Sequence, residues 1–324
     1  MMKKLYALLF ALLLSIGMLV GCSNESGSAK NNAGGEKQTP QNENTAFPVT
    51  VKDAAGEKVT IKEKPKKIVS LIPSNTEIAF ELGLGDKIVG VSDFDNYPKE
   101  AASKEKVGGQ EMNLEKIISL KPDLVLAHAS SAHNSAKGLK QLRDAGIAVL
   151  VVNDAKSIQQ VYESIETIGR ATGEKENADH VVKSMKEKIK MIQAEAAKIK
   201  DVKTVFVEVS PAPEIYTAGK NTFMDEMLSI INAKNAAGDL EGWNKIDLEA
   251  VVKRNPDVIV TTYGYYVKDA AAQVLNRKGW QEVNAVKQKR VVDVNSDIVT
   301  RSGPRLAEGV EELAKAVYPE TFKK

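Results

Sequence analysis

Several features that would indicate an enzyme or a disulfide-rich protein are missing from this sequence. Cysteine occurs once, as Cys22, so the 324 residues contain neither a disulfide framework nor a cysteine-rich zinc site. The signatures of serine hydrolases, zinc peptidases and P-loop nucleotide-binding proteins are also absent. Aromatic residues make up only 5% of the chain, so any aromatic residue near a predicted cleft is informative. These absences favour a binding protein over an enzyme.

The charges of the chain are nearly balanced. It has 45 basic and 43 acidic residues, which give a formal net charge of +2 at pH 7. The sequence has no basic stripe and no RNA-binding signature, so we expect no nucleic-acid partner. A hydrophobic fraction of 43% and a charged fraction of 27% are ordinary for a globular protein. The length is sufficient for about two domains.

Residues 1–21 have the pattern of a bacterial lipoprotein signal peptide. Two lysines precede an apolar run over residues 5–20, which is shorter than the ~20 residues that a membrane-spanning helix needs. The run leads into a Leu-Val-Gly-Cys sequence that resembles a lipobox, and cleavage there would leave Cys22 as the acylated residue. The alternative is a cleaved signal peptide with an incidental cysteine. We expect a lipid anchor at Cys22, which places the protein on the outer face of the cell membrane.

A polar tether and a hairpin are predicted to lead into the folded body. Residues 22–46 are rich in Ser, Gly, Asn and Gln and cannot bury a core, so they predict a flexible tether. Two alternating runs around Gly56 then predict a β-hairpin within residues 47–65.

The remaining residues, 66–324, have the pattern of an α/β protein. Buried strands alternate with helices along this part of the chain, which predicts mostly parallel sheets covered by helices. The first of these helices is predicted over residues 76–82, with Ser74 and Asn75 as the capping signal before it.

An internal repeat is the most informative feature of the sequence. Residues 113–126 align without gaps with residues 247–260, and each copy reads as a short helix, a Pro-Asp break and a buried strand. One repeat separated by so many residues indicates two similar lobes and not a solenoid, whose repeats are about 20–50 residues long. We therefore predict an N-lobe over 66–155 and a C-lobe over 202–324, with a ligand cleft between them.

Connecting helices are predicted between the lobes, over residues 156–201. The part from 174 to 199 is typical of one long helix, which can reach from one lobe to the other. We interpret its apolar stripe as an ordinary packing stripe, formed by Val182, Met185, Ile189 and Ile192. A single rigid connector predicts little hinge bending.

Two of the three histidines, His128 and His133, follow the predicted strand 124–127. Ligands of α/β proteins bind at the carboxyl ends of strands, so these side chains could contact a ligand or its metal. We favour the alternative, in which both are polar loop residues.

A series of short motifs follows the hairpin in a fixed order. They are Ile68-Val69-Ser70-Leu71, Ser74-Asn75-Thr76-Glu77, Gly90-Val91-Ser92, Tyr97-Pro98, Met112-Asn113-Leu114-Glu115 and Lys121-Pro122-Asp123-Leu124-Val125. In these motifs the chain resembles the iron-siderophore and vitamin B12 solute-binding proteins of ABC importers, and within them the cobalamin-binding branch. The resemblance implies two α/β lobes joined by one long helix, with the ligand held between them. It also implies delivery of that ligand to a two-subunit ABC permease with its ATPase.

The resemblance extends to individual positions at the ligand. Phe94 stands where the cobalamin binders stack a tyrosine, and Trp243 stands at the position of a cleft tryptophan. The family's second cleft tryptophan is replaced by Gly109. Our predicted ligand-binding residues, which combine aromatic faces with polar rim groups, are Phe94, Tyr97, Trp243, Tyr263, Asp297, Thr300 and Arg301.

Charge favours a corrinoid among the ligands of this family. A corrin is a broad, rather apolar disc with neutral amide arms, which suits aromatic faces and hydrogen-bonding edges. A catecholate siderophore complex is negatively charged and requires a cluster of basic residues, but we expect only Arg301 and Lys220 near the cleft. We therefore expect cobalamin or another corrinoid, with a ferric siderophore or haem as the alternative. No resident cofactor or metal is expected.

The repeat places Glu115 and Glu249 at equivalent positions, each in the first turn of a predicted helix. In the family, glutamates at these positions dock onto arginines of the two permease subunits, which implies a monomer that presents one carboxylate on each lobe. The alternative is that both only complement a helix dipole. Two other classes stay open: an anchored enzyme or chelatase with His128 and His133 as metal ligands, and a structural surface lipoprotein.

Overall fold

The computed structural model of the protein describes residues 47–322. The predicted signal peptide (1–21), Cys22 and the predicted tether (22–46) lie outside the described residues, as do residues 323–324. Between residues 47 and 322, no helix is both long and apolar enough to cross a membrane.

The first part of the chain forms a hairpin and then an α/β lobe, the N-lobe. The strands are β1 (Val49–Lys52), β2 (Lys58–Ile61), β3 (Ile68–Ser70), β4 (Ile88–Val91), β5 (Glu105–Lys106), β6 (Leu124–His128) and β7 (Ala148–Val152). The helices are α1 (Pro73–Glu81), α2 (Lys99–Ala102), α3 (Leu114–Leu120), α4 (Ala129–Ala132) and α5 (Ala136–Asp144). Strands β1 and β2 pair antiparallel, as predicted. The other five strands form a parallel sheet in the order β5-β4-β3-β6-β7.

A second α/β lobe, the C-lobe, follows two connecting helices, α6 (Ile158–Thr172) and α7 (Lys175–Ala196). Its strands are β8 (Thr204–Glu208), β9 (Tyr216–Ala218), β10 (Lys234–Asn235), β11 (Trp243–Lys245), β12 (Val258–Thr261) and β13 (Val291–Asp293). Its helices are α8 (Phe223–Ile230), α9 (Leu248–Arg254), α10 (Ala270–Leu275), α11 (Asn284–Lys287), α12 (Ser296–Val299) and α13 (Leu306–Val317). The main sheet is parallel, in the order β10-β8-β12-β13, and β9 pairs antiparallel with β11.

Each lobe is therefore an α/β layer structure, as the sequence predicted. Strands β6 and β12 are buried along their whole length, because helices cover both faces of a parallel sheet. Continuous apolar runs rather than alternating ones are the sequence pattern of such strands.

The sequence repeat is also a structural repeat. Helices α3 and α9 both end at a residue in the left-handed conformation, Lys121 and Asn255. The aspartate of the Pro-Asp break then has the same role in each lobe. Asp123 Oδ2 accepts a hydrogen bond from the Lys67 backbone N–H, and Asp257 Oδ2 accepts one from that of Thr204, both at 2.9 Å. Asp123 thus holds the start of β6 beside the start of β3, and Asp257 holds the start of β12 beside the start of β8.

The long connecting helix is α7, which ends at Ala196, three residues before the predicted end. Gly173 separates it from α6 by ending that helix at a φ of 75°, a conformation that favours glycine. The predicted stripe from Val182 to Ile192 is buried, which confirms its packing role.

One apolar cluster runs through both lobes. It joins Ile78 of the N-lobe, Val161 and Met185 of the connecting helices, and Val205 and Leu313 of the C-lobe. Two smaller clusters fill the other side of each sheet. Opening the lobes on a hinge would have to break the shared cluster, which is consistent with the expected rigidity.

Helix α1 begins earlier than predicted. It starts at Pro73, with Ile72 as its N-cap residue. Proline suits the first helical position because no hydrogen-bond partner is needed for its missing N–H. Ser74 and Asn75 are therefore buried residues of the first turn and not caps. Asn75 Nδ2 donates a hydrogen bond to the carbonyl of Ala127, at 3.0 Å, so it ties α1 to the end of β6.

Candidate functional site

A cleft with a volume of about 590 Å³ lies between the lobes. It is formed at the carboxyl ends of the parallel strands, where ligands of α/β proteins bind. The N-lobe contributes, among others, Phe94, Asn96, His128, Ser130 and Asp154. The C-lobe contributes, among others, Phe223, Trp243, Tyr265, Asp297, Thr300 and Arg301. Five of the seven predicted ligand-binding residues are thus brought together here.

The cleft has aromatic faces on both lobes. Phe94 is 53% exposed on the N-lobe side, and Trp243 and Tyr265 are 47% and 77% exposed on the C-lobe side. Phe223 is nearly buried and holds Trp243 edge-on, with ring centroids 6.0 Å apart. Exposed aromatic rings in a cleft are surfaces for stacking a flat, apolar ligand.

Sequence reasoning missed Phe223 and Tyr265. Tyr265 follows β12 in the C-lobe, as Ser130 and its neighbours follow β6 in the N-lobe, so the internal repeat could have indicated it. Phe223 starts α8, directly after the N-cap residue Thr222. Its ring reaches Trp243 because β9, the strand before α8, pairs with the strand that carries Trp243.

Gly109 leaves room for Phe94. A Cβ atom at Gly109 would lie 3.1 Å from Cζ of the Phe94 ring, which is closer than most such contacts. A large side chain at position 109 would therefore displace this ring.

The loop that carries Phe94 and Asn96 is fixed by Asp95, which lies between them and is buried. Its carboxylate accepts a hydrogen bond from Ser92 Oγ at 2.6 Å, and its carbonyl accepts one from Lys106 Nζ at 2.9 Å. Burial raises the pKa of Asp95, against the hydrogen bond from Ser92 and the charge of Lys106.

The polar rim of the cleft is centred on Arg301. Its guanidinium donates to Glu77 Oε1 at 2.9 Å and to Asn96 Oδ1 at 2.8 Å, and it lies 2.7 Å from Asp297 Oδ1. Asn96 Nδ2 in turn donates to Asp297 Oδ2 at 2.9 Å. These contacts join the two lobes directly beside the cleft.

Tyr97 and Tyr263 are not brought to the cleft. Tyr97 lies beneath the guanidinium of Arg305, which is 3.7 Å from its ring centre. Tyr263 is only 1% exposed, and its hydroxyl donates to the buried Glu208 at 2.5 Å inside the C-lobe. The expectation of a ligand face at Tyr263 is corrected by this burial, and Tyr97 supports an arginine instead of a ligand.

The two histidines after β6 are separated by the fold. His128 is 4% exposed and lines the cleft, whereas His133 is exposed and does not line it. His128 Nδ1 lies 2.8 Å from Ser130 Oγ. Burial lowers the pKa of His128, against the charge of Asp154. Among residues 47–322, no group of three or more His, Cys, Asp or Glu side chains is arranged to hold a metal ion.

The charge of the cleft is not basic. Among the described residues that line it, Arg301 is the only lysine or arginine, and two carboxylates already neutralise it. Lys220, the second expected cation, is not among the lining residues. Asp154 adds a further negative charge to the wall.

Glu115 and Glu249 are exposed in the first turns of α3 and α9. The cap of α3 is made by Asn113, whose Oδ1 accepts a hydrogen bond from the Lys116 N–H at 3.0 Å. Within the described part of the chain, no hydrogen bond or ion pair engages either glutamate side chain. Both carboxylates are therefore accessible to a partner.

Comparison with known proteins agrees with this architecture. The profile of the periplasmic binding protein family matches residues 68–298. The chain belongs to the periplasmic binding protein family.

This periplasmic binding protein is similar to the uncharacterized ABC transporter substrate-binding lipoprotein YvrC of Bacillus subtilis (strain 168). The two are 57% identical over 324 residues, and the match covers 99% of this chain and 100% of that protein. It is 32% identical over 292 residues to a cobalamin-binding protein of Halobacterium salinarum (strain ATCC 29341 / DSM 671 / R1), covering 86% and 76% of the two chains. The structure matches that of a possible iron-binding (periplasmic solute-binding) protein from Staphylococcus epidermidis ATCC 12228, with a TM-score of 0.72 and 41% identity. That match covers 79% of this chain and 100% of the other.

The expected family and the two-lobed α/β fold are thereby confirmed. Periplasmic binding proteins are solute-binding components of transport systems and not enzymes.

Proposed function

We propose that this protein is the substrate-binding lipoprotein of an ABC importer and that it captures a corrinoid in the cleft. The observation that carries the proposal is the combination of exposed aromatic faces with the absence of an unpaired cation among the described lining residues.

The aromatic faces suit the shape of a corrin. Phe94 approaches from the N-lobe, and Trp243 and Tyr265 approach from the C-lobe, so a disc between the lobes would meet rings on both sides. Such a ligand carries neutral amides at its edge, which the polar groups of Asn96 and Thr300 can hydrogen-bond.

The charge argues against an anionic ligand. Ferric catecholate complexes and haem carry negative charges, which are bound most strongly by free guanidinium or ammonium groups. The guanidinium of Arg301 is not free to bind an anion in this way, because it already forms ion pairs with Glu77 and Asp297. An anionic ligand would also meet the carboxylate of Asp154.

A second candidate is an iron-containing ligand, haem or a ferric siderophore. His128 favours it, because a neutral imidazole in the wall of the cleft can bind haem iron. The 41% identity to a possible iron-binding protein also supports it. We rank it second on the grounds of charge.

Delivery would use the two exposed glutamates. Glu115 and Glu249 lie on different lobes at equivalent positions, so two related permease subunits could each bind one of them. The ATPase of the importer would then drive uptake. In this proposal the protein acts as a monomer, anchored through Cys22 on the outer face of the cell membrane, as the relationship to the Bacillus lipoprotein supports.

The deciding experiment is ligand capture by the purified protein. It is incubated in parallel with cyanocobalamin, with a ferric catecholate complex and with haemin, and is then desalted. We expect the corrinoid absorption to remain with the protein, at one corrinoid per chain. Retention of only haemin or the ferric complex would favour the iron candidate. Retention of none would favour a structural lipoprotein, and chemical conversion of the corrinoid would indicate an enzyme.

A further inference from the structure

We propose that Asp297 and Arg301 form a subsite for a primary carboxamide, and that the side chain of Asn96 holds this subsite until an amide arm of the ligand replaces it. Asn96 is then an internal competitor of the ligand. The inference rests on the proposed function, because a corrinoid is the candidate ligand with primary amides along its edge. It extends that function by assigning one contact to the ligand and the group that controls access to it.

The hydrogen bonds of Asn96 show what this subsite binds. Asn96 Nδ2 donates to Asp297 Oδ2 at 2.9 Å, and Asn96 Oδ1 accepts from Arg301 Nη1 at 2.8 Å. One carboxamide thus meets an acceptor on one side and a donor on the other. The reverse orientation of the amide would place its oxygen against the carboxylate and its NH2 group against the guanidinium, so only one orientation fits.

The two partners of Asn96 are positioned by ion pairs that do not involve it. Arg301 Nη2 lies 2.7 Å from Asp297 Oδ1, and Arg301 Nη1 also donates to Glu77 Oε1 at 2.9 Å. These contacts direct Asp297 Oδ2 and an N–H of Arg301 Nη1 to the same carboxamide. The subsite is therefore preorganised, and it keeps its shape when the Asn96 side chain leaves.

The side chain of Asn96 can leave without a movement of the main chain. Asn96 is exposed, whereas the side chains of Asp297 and Arg301 are only 29% and 18% exposed. The buried Asp95 beside it anchors the loop, so a rotation of the Asn96 side chain towards solvent is sufficient. Asn96 and both of its partners line the cleft. The place of its carboxamide is therefore within reach of a ligand that fills the cleft.

The same geometry discriminates between the arms that a ligand can carry. A carboxylate arm, such as a propionate of haem, would place its negative charge against Asp297. An ester arm has a carbonyl for Arg301 but no N–H for Asp297, which would leave that carboxylate without its hydrogen bond. A primary amide satisfies both groups, as Asn96 does. The subsite thus favours amide arms.

Competition by Asn96 lowers the affinity of the wild-type protein. The ligand can use the subsite only in the fraction of molecules in which Asn96 has turned away, and the apparent dissociation constant rises as that fraction falls. Asn96→Ala removes the competitor and keeps both partners. Because two hydrogen bonds no longer have to be broken, we expect cyanocobalamin to bind Asn96→Ala about 10-fold more tightly than wild type.

Titration calorimetry with cyanocobalamin tests this expectation. Asn276→Ala is the matched control and should bind as wild type does, since Asn276 is an exposed asparagine that also donates one hydrogen bond but does not line the cleft. Unchanged or weaker binding by Asn96→Ala overturns the inference.

A second pair of ligands separates amide recognition from a simple gain of room. Dicyanocobinamide keeps primary amide arms, whereas the heptamethyl ester of dicyanocobyrinic acid carries esters in their place. Asn96→Ala should tighten the binding of dicyanocobinamide and leave that of the ester nearly unchanged. Equal gains for the two ligands would mean that the variant only widens the cleft, which overturns the inference.

A crystal structure of the wild-type protein with cyanocobalamin needs no variant. It should show an amide nitrogen of the corrin within hydrogen-bond distance of Asp297 Oδ2, with the Asn96 side chain turned away. An Asn96 that still bridges Asp297 and Arg301 in the complex overturns the inference and leaves the proposed function standing. If the wild-type protein retains no corrinoid at all, both are wrong.

Discussion

Arg305 of the C-lobe binds Glu77 of the N-lobe through two parallel hydrogen bonds, Nε to Oε2 at 2.9 Å and Nη2 to Oε1 at 2.7 Å. Glu77 is 2% exposed, and its Oε1 also accepts from Arg301. One buried carboxylate thus binds two guanidinium groups across the boundary between the lobes, beside the cleft.

Removing this carboxylate should destabilise the protein. Glu77→Gln removes the carboxylate that pairs with Arg305 and leaves Arg301 with Asp297 alone. Breaking a buried pair by removing one partner costs about 3–5 kcal/mol. Urea unfolding monitored by circular dichroism measures the loss. The control is Glu105→Gln, which removes an exposed ion pair with Lys116 and should cost less than about 1 kcal/mol. Equal losses in the free energy of unfolding would show that the buried pair contributes no more to stability than the exposed one.

Trp243→Ala should weaken corrinoid binding by about 2 kcal/mol or more, because an aromatic anchor in the cleft is lost. Titration calorimetry with the retained corrinoid measures the change. Tyr216→Ala is the control, since Tyr216 is exposed on the neighbouring strand β9 but does not line the cleft. An unchanged affinity for Trp243→Ala in a folded protein would remove this residue from the site.

The double variant Glu115→Ala/Glu249→Ala should keep the ligand affinity and the fold but abolish uptake. Charged contacts of this kind determine partner recognition and association rate. The matched control is Glu176→Ala/Glu308→Ala, because these exposed glutamates also lie in first turns, those of α7 and α13. Transport by cells and ligand titration are measured side by side. Normal uptake by the first double variant would contradict the docking proposal.

Asp95 should make a pH-dependent contribution to stability. Burial raises its pKa above the ordinary value of 3.8, so the folded protein holds this proton more tightly than the unfolded chain. The stabilisation is complete below pH 3.8 and is lost as the pH rises through the folded pKa. Relative to wild type, Asp95→Asn should therefore gain stability as the pH rises from acidic to neutral.

Urea unfolding of both proteins across this pH range tests the prediction. Asp86→Asn, on an exposed turn, is the control and should follow the wild-type profile. A constant difference between Asp95→Asn and wild type at every pH would refute the assignment.

Cys22→Ser should release the protein from membranes, because acylation at this position is lost. Fractionation of cells, with immunodetection of the washed membranes, measures the effect. Serine keeps the size of the side chain, so the fold should be unaffected. If the variant stays in washed membranes, the lipid-anchor prediction is wrong.

The sequence alone was sufficient for the architecture, because local patterns encode it. Continuous apolar runs predicted the buried parallel strands, and the repeat of 113–126 in 247–260 predicted two lobes. In the structure, the repeated Asp123 and Asp257 make the same backbone contact. The boundaries were less accurate, since helix α1 already starts at Pro73 and helix α7 already ends at Ala196.

The roles of the site residues were decided by contacts between distant parts of the chain. Arg301 was predicted as a rim contact for the ligand, but Glu77, 224 residues away, already binds its guanidinium. Tyr97 and Tyr263 read as ligand faces, but Arg305 covers one and the other is buried against Glu208. A sequence shows that a side chain is aromatic or charged. Only the packed structure determines whether another residue already covers its aromatic face or neutralises its charge.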